Sequence, residues 1–133
     1  MRTKLLVILV SLLMGVLNLE AQQTDIVDAF ARYFRTSDES KMADDFSSAL
    51  QLNILSEENV YSKAQAQQIM RDFFSKNKPV SVKVVNRLSS NESYKLAVLS
   101  MLTDKDKFRI SISFSSTGKR FLVKEMRIEY DKQ

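Results

Sequence analysis

The hydrophobic pattern of this chain becomes strand-like throughout after Pro79, and that change constrains the fold more than any other feature of the sequence. Before Pro79, the only proline, apolar residues mostly recur every three or four positions, as in amphipathic helices. After it, apolar and polar residues alternate, as in strands joined by short turns. Helices followed by strands, with no Gly/Ser-rich linker between them, predict one α+β domain rather than a β-α-β array.

Two helices are predicted at the start of the helical part. Thr24 is placed to cap the first helix, whose apolar positions continue to about Arg35. Ser37 is placed to cap a second, shorter helix, in which Met42 and Phe46 lie four residues apart on one side. We therefore expect the chain to turn a corner between these two helices.

A strand and a third helix complete the first part. Apolar and polar residues alternate from Ala49 to Leu55, which predicts a half-buried strand. Ser62-Lys63-Ala64-Gln65 is a capping-box pattern, in which the serine hydroxyl and the glutamine side chain each bond to the other residue's backbone N–H. The helix that starts there is predicted to stop before Pro79, because proline disfavours helix at the preceding residue.

The second part predicts an antiparallel meander of strands with short polar connections. The predicted strands are Val80–Arg87, Tyr94–Thr103, Phe108–Ser115 and Phe121–Tyr130. The second of these is apolar on both faces, so both need cover. We expect an exposed apolar strip on the face away from the helices, and a homodimer or partner contact through it. The alternative is that lysine and arginine stems shield the strip. The residues of the strip are Val85, Ala97, Leu99, Met101 and Val123.

The N-terminal segment is typical of a secretory signal peptide. Arg2 and Lys4 precede an apolar run from Leu5 to Leu17, which is too short to cross a bilayer. Residues 1–21 are therefore predicted to be removed, so that the mature protein starts near Gln22. We expect one domain over residues 22–133, located in the periplasm or outside the cell, with no membrane anchor after cleavage.

The order of elements resembles the cone-shaped α+β fold of the nuclear-transport-factor-2-like superfamily, which is also called cystatin-like. The stretches that carry the resemblance are Leu50–Ile54, Val60–Lys63 and Ile69–Phe74, which look like its strand, its short return strand and its third helix. The whole chain also resembles a small family of exported proteins from Bacteroidota with no known activity. The resemblance implies N-terminal helices packed on a curved antiparallel sheet. The superfamily contains isomerases, dehydratases, transport factors and association domains, so the fold does not choose a function.

The composition excludes several kinds of catalytic site. The chain has no histidine and no cysteine, so it cannot build a nucleophile–histidine pair or an ordinary histidine-based zinc site. Scytalone-dehydratase-like members of the superfamily depend on a histidine that this chain lacks. Ketosteroid-isomerase-like members use a carboxylate base and tyrosine or acid donors in an apolar cavity. That resemblance implies the candidates Tyr33, Asp44, Asp45, Tyr94 and Glu125, although the acids on the helix are more simply solvated.

Neither a metal site nor a nucleic-acid surface is predicted. The alternating acids of Asp104–Lys107 lack the glycine and the closing glutamate of a calcium loop, and are better explained as a charged hairpin tip. The net charge of +4 is mild. A modest basic patch is interrupted by Glu125 and Glu129, so its attraction for anions should be weak and salt-sensitive. Its members are Lys83, Arg109, Lys119, Arg120, Lys124 and Arg127.

The favoured hypothesis is an exported, non-catalytic binding or assembly domain with a helix-lined apolar pocket. The alternative is a small isomerase or hydratase that uses a carboxylate in that pocket. We expect no cofactor, and an apolar small molecule as one possible ligand. The candidate pocket-lining residues are aromatic: Phe30, Tyr33, Phe34, Phe46, Tyr61, Phe73, Tyr94 and Phe108.

Overall fold

A computed structural model of the chain describes residues 25–132, apart from the side chain of Asn91. The predictions for residues 1–21, Gln22 and Thr24 lie outside these residues. The described helices are α1 (Ile26–Thr36), α2 (Glu39–Asp44) and α3 (Lys63–Lys76). The described strands are β1 (Phe46–Ile54), β2 (Glu57–Tyr61), β3 (Ser81–Asn91), β4 (Tyr94–Leu102), β5 (Lys107–Ser116) and β6 (Phe121–Tyr130).

All six described strands form one sheet, in the order β2-β1-β6-β5-β4-β3. The predicted meander is confirmed, because β3 to β6 pair antiparallel in sequence order. Only β1 and β6 run parallel. Register shifts in β3, β6 and β1 add local bends to the strands. The helices pack on one face of this sheet, which gives the predicted α+β cone.

The caps of the first two helices differ from the predicted ones. Asp25 caps α1, its carboxylate accepting from the Val27 N–H at 2.7 Å. Ser37 does not cap α2; it ends α1 in a left-handed conformation with φ of 55°. Asp38 caps α2 instead, accepting from the Lys41 N–H. An aspartate next to each predicted cap takes the role, because its carboxylate accepts a hydrogen bond from an N–H group of the first helical turn.

The spacing from Met42 predicts that Phe46 belongs to α2, and this prediction is wrong. Phe46 starts β1 and pairs with Val123 of the parallel strand β6. The capping box of α3 is confirmed, since the Ser62 hydroxyl accepts from Gln65 N–H and the Gln65 side chain accepts from Ser62 N–H.

The apolar strip predicted on the uncovered face of the sheet is wrong for four of its five residues. Leu99 and Met101 lie opposite Ile110 and Phe108 in the β4–β5 ladder, so they share the helix-covered face of β5. The residues buried on that face, each at most 1% exposed, are Ala97, Leu99, Met101 and Val123.

The fifth residue, Val85, is 60% exposed because it occupies the bulge between Val84 and Asn86. On the outer face the structure instead offers Leu88 and Leu96, which are paired with each other across β3 and β4. The homodimer stays a prediction, now without the residues first assigned to it.

Candidate functional site

The phenylalanines predicted to line a pocket fill the space between helices and sheet. Edge-to-face contacts join Phe30 to Phe114 and Phe73 to Phe108, each with ring centroids 5.3 Å apart. Rings packed at these distances leave no room for a ligand between them. The structure therefore places most of the predicted pocket residues in the core. Those that are fully buried are Phe30, Phe34, Phe46 and Phe108.

The three candidate tyrosines lie in three different places. Tyr33 packs at the edge of the core, with its ring 5.5 Å from that of Phe30. Tyr94 lies on the outer face of the sheet, where its hydroxyl is 3.4 Å from Ser113 Oγ. Tyr61 is partly buried beside α3 and lines a groove there. The structure does not bring these residues together.

The groove, here called the hairpin groove, runs between α3 and the hairpin formed by β1 and β2. Leu52, Ile54 and Ile69 give it an apolar floor, and Leu52 is 1% exposed. Its volume is about 350 Å³. The residues that line it are Leu52, Ile54, Glu57, Tyr61, Gln68, Ile69 and Asp72.

A second cavity, of about 270 Å³, extends the hairpin groove toward the end of α3. It shares Ile54, Glu57, Ile69 and Asp72 with the first, so the two are continuous. Its further lining residues are Leu55, Phe73, Lys76 and Asn77. Tyr61 and Phe73 are thus the only two predicted pocket residues that line this groove.

The hairpin turn shapes one wall of the hairpin groove. Leu55 and Ser56 have φ of 51° and 79°, so a two-residue turn with two positive φ angles joins β1 to β2. Such turns normally carry Asn-Gly, because other residues adopt this conformation at a cost. The Leu55 N–H bonds to the Ile128 carbonyl at 2.9 Å, which ties the turn to β6. In this turn conformation the partly buried side chain of Leu55 lies at the groove wall.

Two carboxylates give the hairpin groove its charge. Asp72 forms an exposed ion pair with Lys76, with Nζ and Oδ2 3.2 Å apart. The Glu57 side chain has neither a hydrogen-bond partner nor an ion partner among residues 25–132, whereas its backbone pairs with Ile54. Sequence analysis missed Glu57 and Asp72, since an acid at a hairpin or on a helix exterior is ordinary. Only the fold shows that they face the same apolar floor.

The carboxylates considered for catalysis lie away from any apolar cavity. Asp45 accepts a hydrogen bond from Arg120, whose other contact is the Asp44 carbonyl. Glu125 is exposed and opposite Ser113 on the outer face. The bonds of Arg120 to Asp44 and Asp45 tie the turn between β5 and β6 to the end of α2, and Glu125 faces solvent. None of these acids is paired with a tyrosine inside the cone.

A second charged cluster fastens the start of α1 to the sheet. Asp25 lies 3.1 Å from the Lys95 ammonium, and Asp28 pairs with Arg87. Partial burial acts to raise the pKa of Asp25, but the Val27 N–H and Lys95 outweigh it and the pKa lies below its ordinary value. Bonding to Asp28 raises the pKa of Arg87. These charges satisfy one another, so the cluster is structural.

Two of the six members of the predicted basic patch form ion pairs within residues 25–132. Arg127 pairs with Glu129 at 3.2 Å, and Arg120 with Asp45. At the β4–β5 turn, Thr103 Oγ1 donates to the Asp106 carbonyl and accepts from its N–H. Within residues 25–132, no three acidic side chains are grouped to hold a metal. No helix in the same range is long and apolar enough to span a bilayer.

The helices and the curved six-stranded sheet define the nuclear-transport-factor-2-like class of α+β proteins. The sequence profile described as "Domain of unknown function (DUF4783)" matches residues 27–129. The chain therefore belongs to the DUF4783 family, and the predicted resemblances to the fold of this superfamily and to a Bacteroidota family are confirmed.

Solved structures share this fold at low sequence identity. A DUF4783 family protein from Bacteroides uniformis has a TM-score of 0.76 at 16% identity, over 82% of this chain and 100% of that one. Another, from Bacteroides ovatus, has a TM-score of 0.74 at 16% identity, over 84% and 99%. A de novo designed protein with a curved β-sheet has a TM-score of 0.66 at 16% identity, over 77% and 94%. No curated protein sequence matches this chain.

Proposed function

We propose that this protein is a non-catalytic binding domain that works outside the cytoplasm and holds its ligand in the hairpin groove. The observation that supports this most is the contrast between a filled cone interior and an open, apolar-floored groove beside it. Ligand sites combine an apolar lining with a few polar groups, and the groove has both.

The chemistry of the groove favours binding over catalysis. An isomerase or hydratase of this class needs an acid in an apolar cavity beside a second proton donor. In the hairpin groove, Glu57 and Asp72 are both exposed, so water solvates their carboxylates. The groove offers shape, apolar contact and charge, which suffice for a binding module.

The test uses N-phenyl-1-naphthylamine, a neutral fluorophore whose emission rises in apolar surroundings. We expect its emission to rise with the wild-type protein and to fall back with Ile69→Ser, which removes part of the groove floor. Leu102→Ser is the matched control, since Leu102 is exposed on the opposite face. Urea midpoints of both variants check that they are folded. Equal emission from wild type and Ile69→Ser would refute the groove as the binding site.

Export is supported by the basic start and the apolar run of residues 1–21. Mass spectrometry of the exported fraction is expected to find Gln22 or Gln23 as the first residue. An exported protein that still begins with Met1 would contradict cleavage, and a protein found only in the cytoplasm would contradict export.

A further inference from the structure

The hairpin groove is elongated along α3. Its lining extends from Gln68 to Asn77. Nine of these positions, up to Lys76, belong to the helix, and Asn77 follows its end. At about 1.5 Å per residue this corresponds to roughly 13 Å. An extended peptide rises about 3.3 Å per residue, so about four residues match that length. The shape therefore suits a stretch of extended chain better than a compact small molecule.

The negative charge of the groove favours a bound segment that carries positive charge. The protein as a whole carries +4, yet the first cavity of the groove is lined by two carboxylates and no cation from residues 25–132. Among the described residues, Lys76 is the one cation that lines the second cavity. The Glu57 carboxylate has no cation partner among residues 25–132. Asp72 has one only in Lys76, and the two side chains are 63% and 72% exposed. Such exposed pairs hold little energy, so an incoming cation can replace this lysine.

The apolar floor requires aliphatic groups next to the cation. Ile54 and Ile69 line the same cavity as the two acids and are partly exposed, so a ligand that covers them removes apolar surface from water. Tyr61 adds an aromatic wall to the same cavity. A segment with basic and aliphatic side chains close together meets both requirements.

The outer edge of strand β2 is partly occupied, which makes it less suited to strand addition. Its Val60 N–H is bonded to the Asn59 side chain at 2.9 Å, which occupies one of the donors that an added strand would use. Recognition by side chains inside the groove needs none of these backbone donors.

We propose that the hairpin groove binds an extended segment of a partner protein in which lysine or arginine lies next to aliphatic residues. The cation lies between Glu57 and Asp72, and the aliphatic groups cover the floor. This inference rests on the proposed function, since it names the ligand of the same groove.

The test compares three acetylated and amidated tetrapeptides, Leu-Lys-Leu-Lys, Leu-Gln-Leu-Gln and Leu-Glu-Leu-Glu, titrated into the full chain and followed by calorimetry. We expect the lysine peptide to bind roughly two- to thirtyfold more tightly than the glutamine peptide, the range for two exposed ion pairs. The glutamate peptide should bind most weakly. In 1 M salt the preference should shrink, because charges are then screened beyond about 3 Å.

Variants locate the effect. Glu57→Gln combined with Asp72→Asn should abolish the preference for the lysine peptide over the glutamine peptide. Glu58→Gln is the matched control, because Glu58 is bonded to Gln51 and both lie on the other face of the hairpin. This control should keep the preference.

Equal binding of the three peptides, or a preference that survives the double variant, would overturn this inference. Failure of all three peptides to bind would overturn it too. If the neutral fluorophore then still responds to Ile69→Ser, the proposed function stands without this ligand; if it does not, both proposals fail.

Discussion

The cone interior and the hairpin groove are adjacent, yet they consist of different kinds of residue. The interior is a set of phenylalanine rings packed edge to face and closed to solvent. The groove lies where α3 meets the β1–β2 hairpin, and its aliphatic floor is bordered by exposed acids. Phe73 belongs to both, since it contacts Phe108 and lines the end of the groove.

This difference separates stability from binding. A filled interior tolerates little change in volume, because each lost methylene leaves a cavity. The groove rim has few buried contacts to lose, so its residues can vary with little effect on folding. Substitutions inside should therefore destabilise the protein, whereas substitutions at the rim should change mainly what it binds.

The largest effect is expected on β4, whose two faces provide a matched pair. Leu99→Glu places an unpaired carboxylate at a position 1% exposed, and should cost more than about 4 kcal/mol. Leu96→Glu lies on the partly exposed outer face and should cost less than about 1 kcal/mol. Circular dichroism in urea measures both. Similar losses for the two variants would mean that the face assignment of β4 is wrong.

Phe114→Ala probes the interior directly. Phe114 is fully buried and packs on Phe30, so the truncation should cost about 3–5 kcal/mol. Equilibrium unfolding gives the value, with Val60→Ala on the exposed hairpin edge as the control. A cost below about 1 kcal/mol for Phe114→Ala would show that the interior is loosely packed after all.

Ser62→Ala tests the helix that carries the groove wall. It removes the acceptor for Gln65 N–H and should cost roughly 1 kcal/mol without changing the fold. Ser62→Asp keeps an acceptor at this position and should retain the stability. If the urea midpoint of Ser62→Ala equals that of the wild type, the cap contributes nothing to α3.

Asp25→Asn gives the smallest effect, and one that depends on pH. The lowered pKa of Asp25 means that its charge stabilises the fold above the unfolded-state value of 3.8, and that this contribution is lost as pH falls through the lower folded-state pKa. Asparagine keeps the cap, so at pH 7 only about 0.5 kcal/mol from exposed ion pairs should be lost. Urea midpoints against pH should converge in acid. A constant gap would mean that charge is not the cause.

Elements whose sequence signal lies within a few neighbouring residues were predicted correctly. The capping box at Ser62 and the alternation in β5 each contain their own evidence within a few residues. The meander followed because short polar connections allow few alternatives to antiparallel hairpins. These features required no knowledge of distant contacts.

The faces of β4 required such knowledge. Both faces are apolar, so alternation alone cannot say which meets the helices. The signal was available in the β4–β5 hairpin, because pairing Leu102 with Lys107 places Met101 opposite Phe108. The hairpin groove gave no comparable signal. Leu55-Ser56 lacks the usual turn residues, and Asp72 and Glu57 line the same cavity only in the folded chain.

The most direct test of the division between interior and groove is amide chemical-shift mapping of the full chain with N-phenyl-1-naphthylamine. The shifts should concentrate between Gln68 and Asn77 on α3 and between Ile54 and Glu57 on the hairpin. Shifts centred on the outer face around Leu96, or on interior positions such as Phe30, would contradict the groove as the place where this protein binds.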